Sequence, residues 1–290
     1  MVIPEELKSL YPYQGKRLAV DGGEIHYLDE GSNKKGVIVA VHGNPTWSFY
    51  WRTLVEAFSE THRVVIPDHI GCGLSDKPQD WPYRLSGHIA NLCSLVEHLD
   101  LRNITLIVHD WGGAIGMGMA GRMVDRIQRL VVTNTAAFRS QEIPLSIASC
   151  RIPIFGSVAV RGFNAFAGVA TWRATAKRLS NPVKEGLLLP YNNWANRIAT
   201  LRFVEDIPLK ATHPSYDTLV EVEEGLSRLQ HLPMLICWGD DDFCFSPSFR
   251  KQWEQRFPDA QVHAWGDVGH YVMEDAVDRV IPLIAAFLSH

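Results

Sequence analysis

Residues 108–113 read VHDWGG. They end the apolar run NITLIV (103–108) and open the Gly- and Ala-rich stretch AIGMGMAGRM (114–123). A buried strand running into a helix through glycines is the setting of a sharp turn that usually carries serine, as G-x-S-x-G. Here the tip is Asp110. The turn places its side chain at a helix N-terminus, where backbone N–H groups stabilise negative charge. A carboxylate is a weak base but a workable nucleophile once desolvated and aimed. Attack on a carbonyl would give an anhydride, of little help in ester cleavage. Attack on a saturated carbon bearing a leaving group gives an ester on the protein, which histidine-activated water can hydrolyse. Asp110 therefore points to displacement at carbon. The plain alternative is a helix-capping aspartate, which leaves the other chemical groups described below unexplained.

The same strand–helix alternation runs outward from this turn. GVIVAVHG (36–43), RVVIPDHIG (63–71), RLVVTNTA (129–136) and LPMLICWGD (232–240) are further short apolar runs. Strands buried on both faces look like this and suit a parallel sheet covered by helices. WSFYWRTLVEAFSE, RLSGHIANLCSLVEHLD and EDAVDRVIPLIAAFL have helical spacing, and KRLAVDGGEIHYLDEG (16–31) predicts an entering hairpin turning at Asp21-Gly22-Gly23. The expected fold is α/β, a mostly parallel central sheet flanked by helices. Ligands of such sheets bind outside the carboxyl ends of the strands.

One stretch breaks the alternation. Residues 137–212 predict helices without strands and hold ten Lys/Arg against four Asp/Glu, a net +6 that leaves −10 elsewhere. The expected organisation is a core of residues 1–136 and 213–290 with an inserted helical cap, 137–212. The segment IPLSIASCRIPIFGSVAVRGFNAFAGVA (143–170) is apolar with spaced arginines. It reads as packing on the core, as a self-association surface or as a membrane-surface contact.

Composition narrows the class. The 290 residues are 46% hydrophobic and 21% charged, an ordinary globular balance. No run of 18 apolar residues is present, so no membrane span is expected. MVIPEELKSLYPYQGKR is too acidic and polar for a signal peptide. The cysteines, at 72, 93, 150, 237 and 244, form no C-x-x-C pair. Cys93 and Cys237 read as buried free thiols, and the set fits a reducing cytoplasm. A net charge of −4 argues against a nucleic-acid partner.

A displacing carboxylate needs a base, an acid and anion-stabilising donors. The base should follow a late strand, where QVHAWGDVGHYVMED (261–275) supplies His270. His263 and His290 read as solvated or structural, and His109 as pointing into the fold beneath the turn. The acid should orient the base and stabilise its cation. WGDDDF (238–243) offers Asp240, Asp241 and Asp242, and the W-G-x-x-D spacing selects Asp242. The other usual position, in VVTNTAAF, holds Asn134 and no acid. Three aspartates also suit a metal, but no flanking His or Glu completes a site, so no metal and no cofactor are expected. The donors expected after the third strand and after the nucleophile are Asn44, in VHGNPTW, and Trp111. Both add side-chain N–H groups and would suit a departing anion such as halide. Turn chemistry at Asn44-Pro45 and packing of Trp111 are the plainer readings.

HGNPTWSFYWR (42–52), PDHIGCGLSDKP (67–78), VHDWGG (108–113), WGDDDF (238–243) and GHYVMED (269–275) occur in this order along nearly the whole core. Together they resemble the haloalkane dehalogenases of the α/β-hydrolase fold. The resemblance implies Asp110 as nucleophile, His270 as base, Asp242 as acid, and Asn44 with Trp111 as the halide pair. An acid after the later strand, with Asn in the halide pair, resembles the family's third subfamily, as do PYNNWANR (190–197) and FVEDIPL…HPSY (203–216). The implied activity is hydrolysis of haloalkanes to alcohol and halide, on small apolar halogenated substrates. The implied assembly is a homo-oligomer through the cap. The same subfamily contains decarboxylases of β-lactones in long-chain olefin synthesis with the same Asp–His–Asp set. A strained lactone is also open to carboxylate attack, so the motifs serve both activities. Epoxide hydrolases share HDWGG but need tyrosines above the nucleophile, and the cap holds only Tyr191, with Tyr216 just beyond. A non-catalytic ligand-binding member would not need nucleophile, base and acid together.

Overall fold

The computed structural model describes residues 3–32 and 34–289, so His290 lies outside the described residues. Eight strands form one sheet: β1 (Lys16–Val20), β2 (Gly23–Gly31), β3 (Val37–Val41), β4 (Arg63–Pro67), β5 (Ile104–Asp110), β6 (Ile127–Thr135), β7 (Met234–Gly239) and β8 (Gln261–Trp265), in spatial order β1-β2-β4-β3-β5-β6-β7-β8. The pairs from β4 through β8 are parallel, while β1–β2 and β2–β4 are antiparallel. This is the expected mostly parallel sheet. β3, β5 and β7 are buried at every residue, which is why they read as unbroken apolar runs. The predicted entering hairpin is β1–β2, with Val20 paired to Gly23. Its turn is therefore Asp21-Gly22, and Gly23 already belongs to the strand.

Helices cover both faces. Leu85–His98 and Trp111–Arg122 pack together on one side, and Arg52–Phe58 and Val277–Leu288 on the other. Their apolar faces divide the core into two clusters, one on each side of the sheet. Cys237 is buried as expected, but Cys93 is only half-buried. It lies in the helix Leu85–His98, whose outer turns reach the surface, and an apolar window does not tell which face of a helix a residue occupies. No helix among the described residues is long and apolar enough to cross a membrane.

β3 and β5 lie side by side, yet β3 leads to β4 on one flank and β5 leads to β6 on the other. Chain leaving their carboxyl ends diverges there and opens a crevice. Asp110 ends β5 and Asn44 follows β3, so both stand at that crevice. The long segment between β6 and β7 contains no strand among the described residues. Its helices Leu145–Ser149, Ala165–Arg173 and Ile198–Glu205 supply one wall of a cavity above the crevice.

The turn demands small neighbours. A Cβ on Gly113 would stand 1.9 Å from Thr135 Oγ1 on the adjoining strand. Gly113→Ala is expected to destabilise the protein by about 1–3 kcal/mol, the usual cost of overpacking. That clash outweighs the roughly 1 kcal/mol by which Ala exceeds Gly in helix propensity. Urea unfolding checks it, and a stabilised variant would refute the close-approach argument.

Candidate active site

Asp110 has φ 51° and ψ −129°, positive for a non-glycine residue. Such backbone costs about 1–3 kcal/mol and persists only where neighbours hold it. The holders are visible. Thr135 Oγ1–H donates to the Asp110 carbonyl across β5–β6. The Asn44 N–H donates to Asp110 Oδ1 at 2.6 Å. Gly43 makes that approach possible, because a Cβ there would lie 2.1 Å from the same oxygen.

The three expected groups converge although they are far apart in sequence. His270 Nε2 lies 3.6 Å from Asp110 Oδ2. On the ring's other side, Nδ1–H donates to Asp242 Oδ2 at 2.8 Å. Asp242 Oδ1 accepts the Cys244 N–H at 2.6 Å. All three residues are buried. The Phe245 ring stacks 5.7 Å from the His270 ring, centroid to centroid. His109 does point beneath the turn, as the sequence suggested: it is buried, and its Nε2–H donates to the His270 carbonyl at 2.9 Å. This ties the loop carrying His270 to β5.

Burial pushes the Asp110 carboxyl above its ordinary value. The His270 charge and the N–H groups of Asn44 and Trp111 pull it back, and the Asp242 charge pushes it up again. For His270, burial acts downward, but the charge and hydrogen bond of Asp242 together with the Asp110 charge prevail, so the imidazole is held above its ordinary value.

Asn44 and Trp111 both border the cavity beside Asp110. One hydrogen of the Asn44 amide is committed to the Thr200 carbonyl at 3.2 Å, and its Oδ1 is buried without a partner. The other amide hydrogen remains for a ligand. Trp111 lies against Phe203, with ring centroids 5.2 Å apart. The cavity measures about 370 Å³ and is walled largely by apolar side chains, including Leu85, Phe138, Leu219, Phe155, Phe166 and Val169. Such walls exclude water and strengthen every electrostatic interaction inside. Tyr191 is buried with its hydroxyl on the Thr46 carbonyl. Neither Tyr191 nor Tyr216 lines the cavity, so neither supplies the acid an epoxide would need.

Two supports escaped the sequence. Asn134, noted there only as a position lacking an acid, is a clamp. Its Nδ2 donates to Asp242 Oδ2 at 2.8 Å and to the Gly239 carbonyl at 2.9 Å, while its Oδ1 accepts the Gly239 N–H at 2.8 Å. Asp68, within PDHIG, is buried and accepts the N–H groups of Ser48 and Leu74 and the Nδ1–H of His26. It anchors the chain just beyond Asn44. The signal for both was a polar residue inside an apolar run, which needs a buried partner.

A family model described as the alpha/beta hydrolase fold matches residues 36–156. A cis-3-alkyl-4-alkyloxetan-2-one decarboxylase of Shewanella oneidensis is 46% identical over 290 residues, covering 98% of this chain and 91% of that protein. Haloalkane dehalogenase 2 of Mycobacterium tuberculosis is 30% identical over 281 residues, covering 95% of each chain. Among solved structures, a haloalkane dehalogenase from Agrobacterium tumefaciens superposes with a TM-score of 0.85 at 25% identity, covering 95% of this chain and 96% of that one.

Removing the Asn134 clamp leaves the Gly239 N–H unpaired. Asn134→Leu is expected to cost roughly 1–3 kcal/mol of stability and to reduce turnover of any substrate that depends on His270. A variant with unchanged melting and unchanged turnover would refute the clamp.

Proposed function

The chain belongs to the haloalkane dehalogenase family of the α/β-hydrolase fold, which also holds β-lactone decarboxylases, and from that premise we propose that it decarboxylates cis-3,4-dialkyl β-lactones to olefins. What supports this reading is the weight of the relatives. A decarboxylase is 46% identical to this chain over the aligned residues, whereas a dehalogenase is 30% identical. The sequence alone put the dehalogenase first, and that ordering is reversed here. The cavity is consistent with the change, since 370 Å³ of apolar space lies in the range that takes drug-sized ligands.

In the proposed course Asp110 is the nucleophile, His270 its partner and Asp242 the orienting acid. Asp110 Oδ2 attacks the ring carbon that bears the lactone oxygen. The new C–O bond forms as the ring C–O bond breaks, and that electron pair leaves on the freed carboxylate. His270, held as a cation by Asp242, stabilises this charge. The carboxylate then departs as CO₂: its C–C bond electrons form the double bond, and the ester C–O electrons return to Asp110. No water is consumed and no cofactor enters the balance. The N–H groups of Asn44 and Trp111 hold Asp110 as it recovers its charge.

The dehalogenase reading stays second, favoured by the side-chain N–H groups of Asn44 and Trp111, which border the cavity beside Asp110. There a halide leaves toward that pair, and neutral His270 activates water to hydrolyse the ester. The same face of the protein would accept a halide ion as product.

The two courses differ in the sign of their alkaline dependence. Both require ionised Asp110, so kcat/KM falls in acid, from above the ordinary carboxylate range because burial raises that group. The lactone course also requires His270 to be protonated. Its kcat/KM is expected to fall again as pH rises through the raised histidine pKa. Displacement of halide would instead hold its rate on the alkaline side, and a plateau with the lactone would refute the cationic role of His270.

The direct test is to offer purified protein a synthetic cis-3,4-dialkyl β-lactone and a bromoalkane in parallel. Olefin is expected from the lactone, reduced by about a thousandfold or more in Asp110→Asn. Halide release without olefin would overturn the reading in favour of the second.

A further inference from the structure

Residues 143–184 contain six Lys/Arg and no Asp or Glu, within a chain of net charge −4. The same window holds eight of the ten exposed large hydrophobic side chains among the described residues, including Leu145 (89% exposed), Ile154, Phe155, Phe163 (80%), Val169 and Trp172. Its cations are not spent on carboxylates. Arg151 donates to the Ile207 carbonyl, and Arg161 to the Trp194 carbonyl and the Gln79 side-chain oxygen. Arg173 and Arg178 are exposed. Three elements of this window, the helix Leu145–Ser149, the turn Ser157–Gly162 and the helix Ala165–Arg173, all contribute walls to the cavity that ends at Asp110. Phe155 and Val169 belong both to that lining and to the exposed face. The apolar surface is therefore continuous from the outside of the molecule to the carboxylate.

We propose that this face docks on an anionic lipid surface and that the cavity opens onto it. Exposed aliphatic and aromatic side chains would enter the headgroup region, with unpaired arginines beside them facing lipid phosphates. Each cation close to an anionic leaflet contributes about fivefold to partition. Charge disfavours a second copy placed symmetrically on the same patch, since two cationic faces would meet. The route from bilayer to Asp110 rests on the lactone reading: a two-chain lactone and its olefin partition into lipid, and passage through such a mouth spares them water.

The test is flotation of the full chain with phosphatidylcholine vesicles, with and without phosphatidylglycerol. Binding to the anionic vesicles is expected, about tenfold or more above the neutral ones and weakened by salt. The variant Leu145→Ser/Phe163→Ser alters two side chains that line no part of the cavity. It is expected to lose about tenfold or more in partition while keeping its melting temperature and its turnover of detergent-dispersed substrate. Absence of vesicle binding, or binding unchanged in the variant, overturns the proposal. Oligomers that the variant dissociates, without vesicle binding, assign the face to a second copy and overturn it equally. Flotation needs no turnover, so its failure leaves the lactone reading standing, and a failed lactone assay leaves the docking face standing.

Discussion

The left-handed backbone at Asp110 sets the terms for much of what surrounds it. A carboxylate can stand at the end of a buried strand and open a helix only if the chain turns within one residue. That turn lifts φ to 51°, and nothing about aspartate favours it strongly enough to stand alone. Thr135 holds the carbonyl, Asn44 holds the side chain, and Gly43 and Gly113 vacate the space that side chains would fill. The β3–β5–β6 pairing brings those residues together. Sheet order and site geometry are thus one requirement seen at two scales.

Around that turn the protein buries three ionisable groups, which is costly unless each charge meets a partner. Asp242 has three hydrogen-bond donors, from His270, Asn134 and Cys244. Asp110 receives the Asn44 N–H but keeps its second oxygen toward His270, at 3.6 Å. The better satisfied carboxylate is the one proposed to orient. The less satisfied one, raised by burial, is the one proposed to react. A group kept short of partners in an apolar cavity has more to gain by forming a bond to carbon.

The strands and the groups of the candidate site were legible because they depend on local pattern and chain order. β3, β5 and β7 announce themselves by burial on both faces. Asp110 ends β5, Asp242 and His270 follow β7 and β8 within five residues, and each has a glycine within three positions. Asn134 was not legible as a clamp, because its partners, Gly239 at the end of β7 and Asp242 just beyond it, lie about a hundred residues away, and adjacency of β6 and β7 is a property of the sheet. The commitment of Asn44 to Thr200 depends likewise on how the segment between β6 and β7 packs. For 143–170 the sequence put core packing first, self-association second and membrane contact last. Only the exposure of Leu145 and Phe163 removes the first for those residues.

The separation of Asp110 from its partners also has a consequence in time. His270 lies 160 residues beyond Asp110 in the chain. At synthesis rates of about 5–20 residues per second, roughly 8–30 s pass between the two leaving the ribosome's catalytic centre. During that interval β3, β5 and β6 can already be paired, with the turn formed and its carboxylate lacking the imidazole. β7 and β8 then add at one edge of a growing sheet and complete the site last. On the proposed roles, a nascent chain would hold no complete Asp110–His270–Asp242 set until its final strand has docked, and an incompletely made one would never gain it.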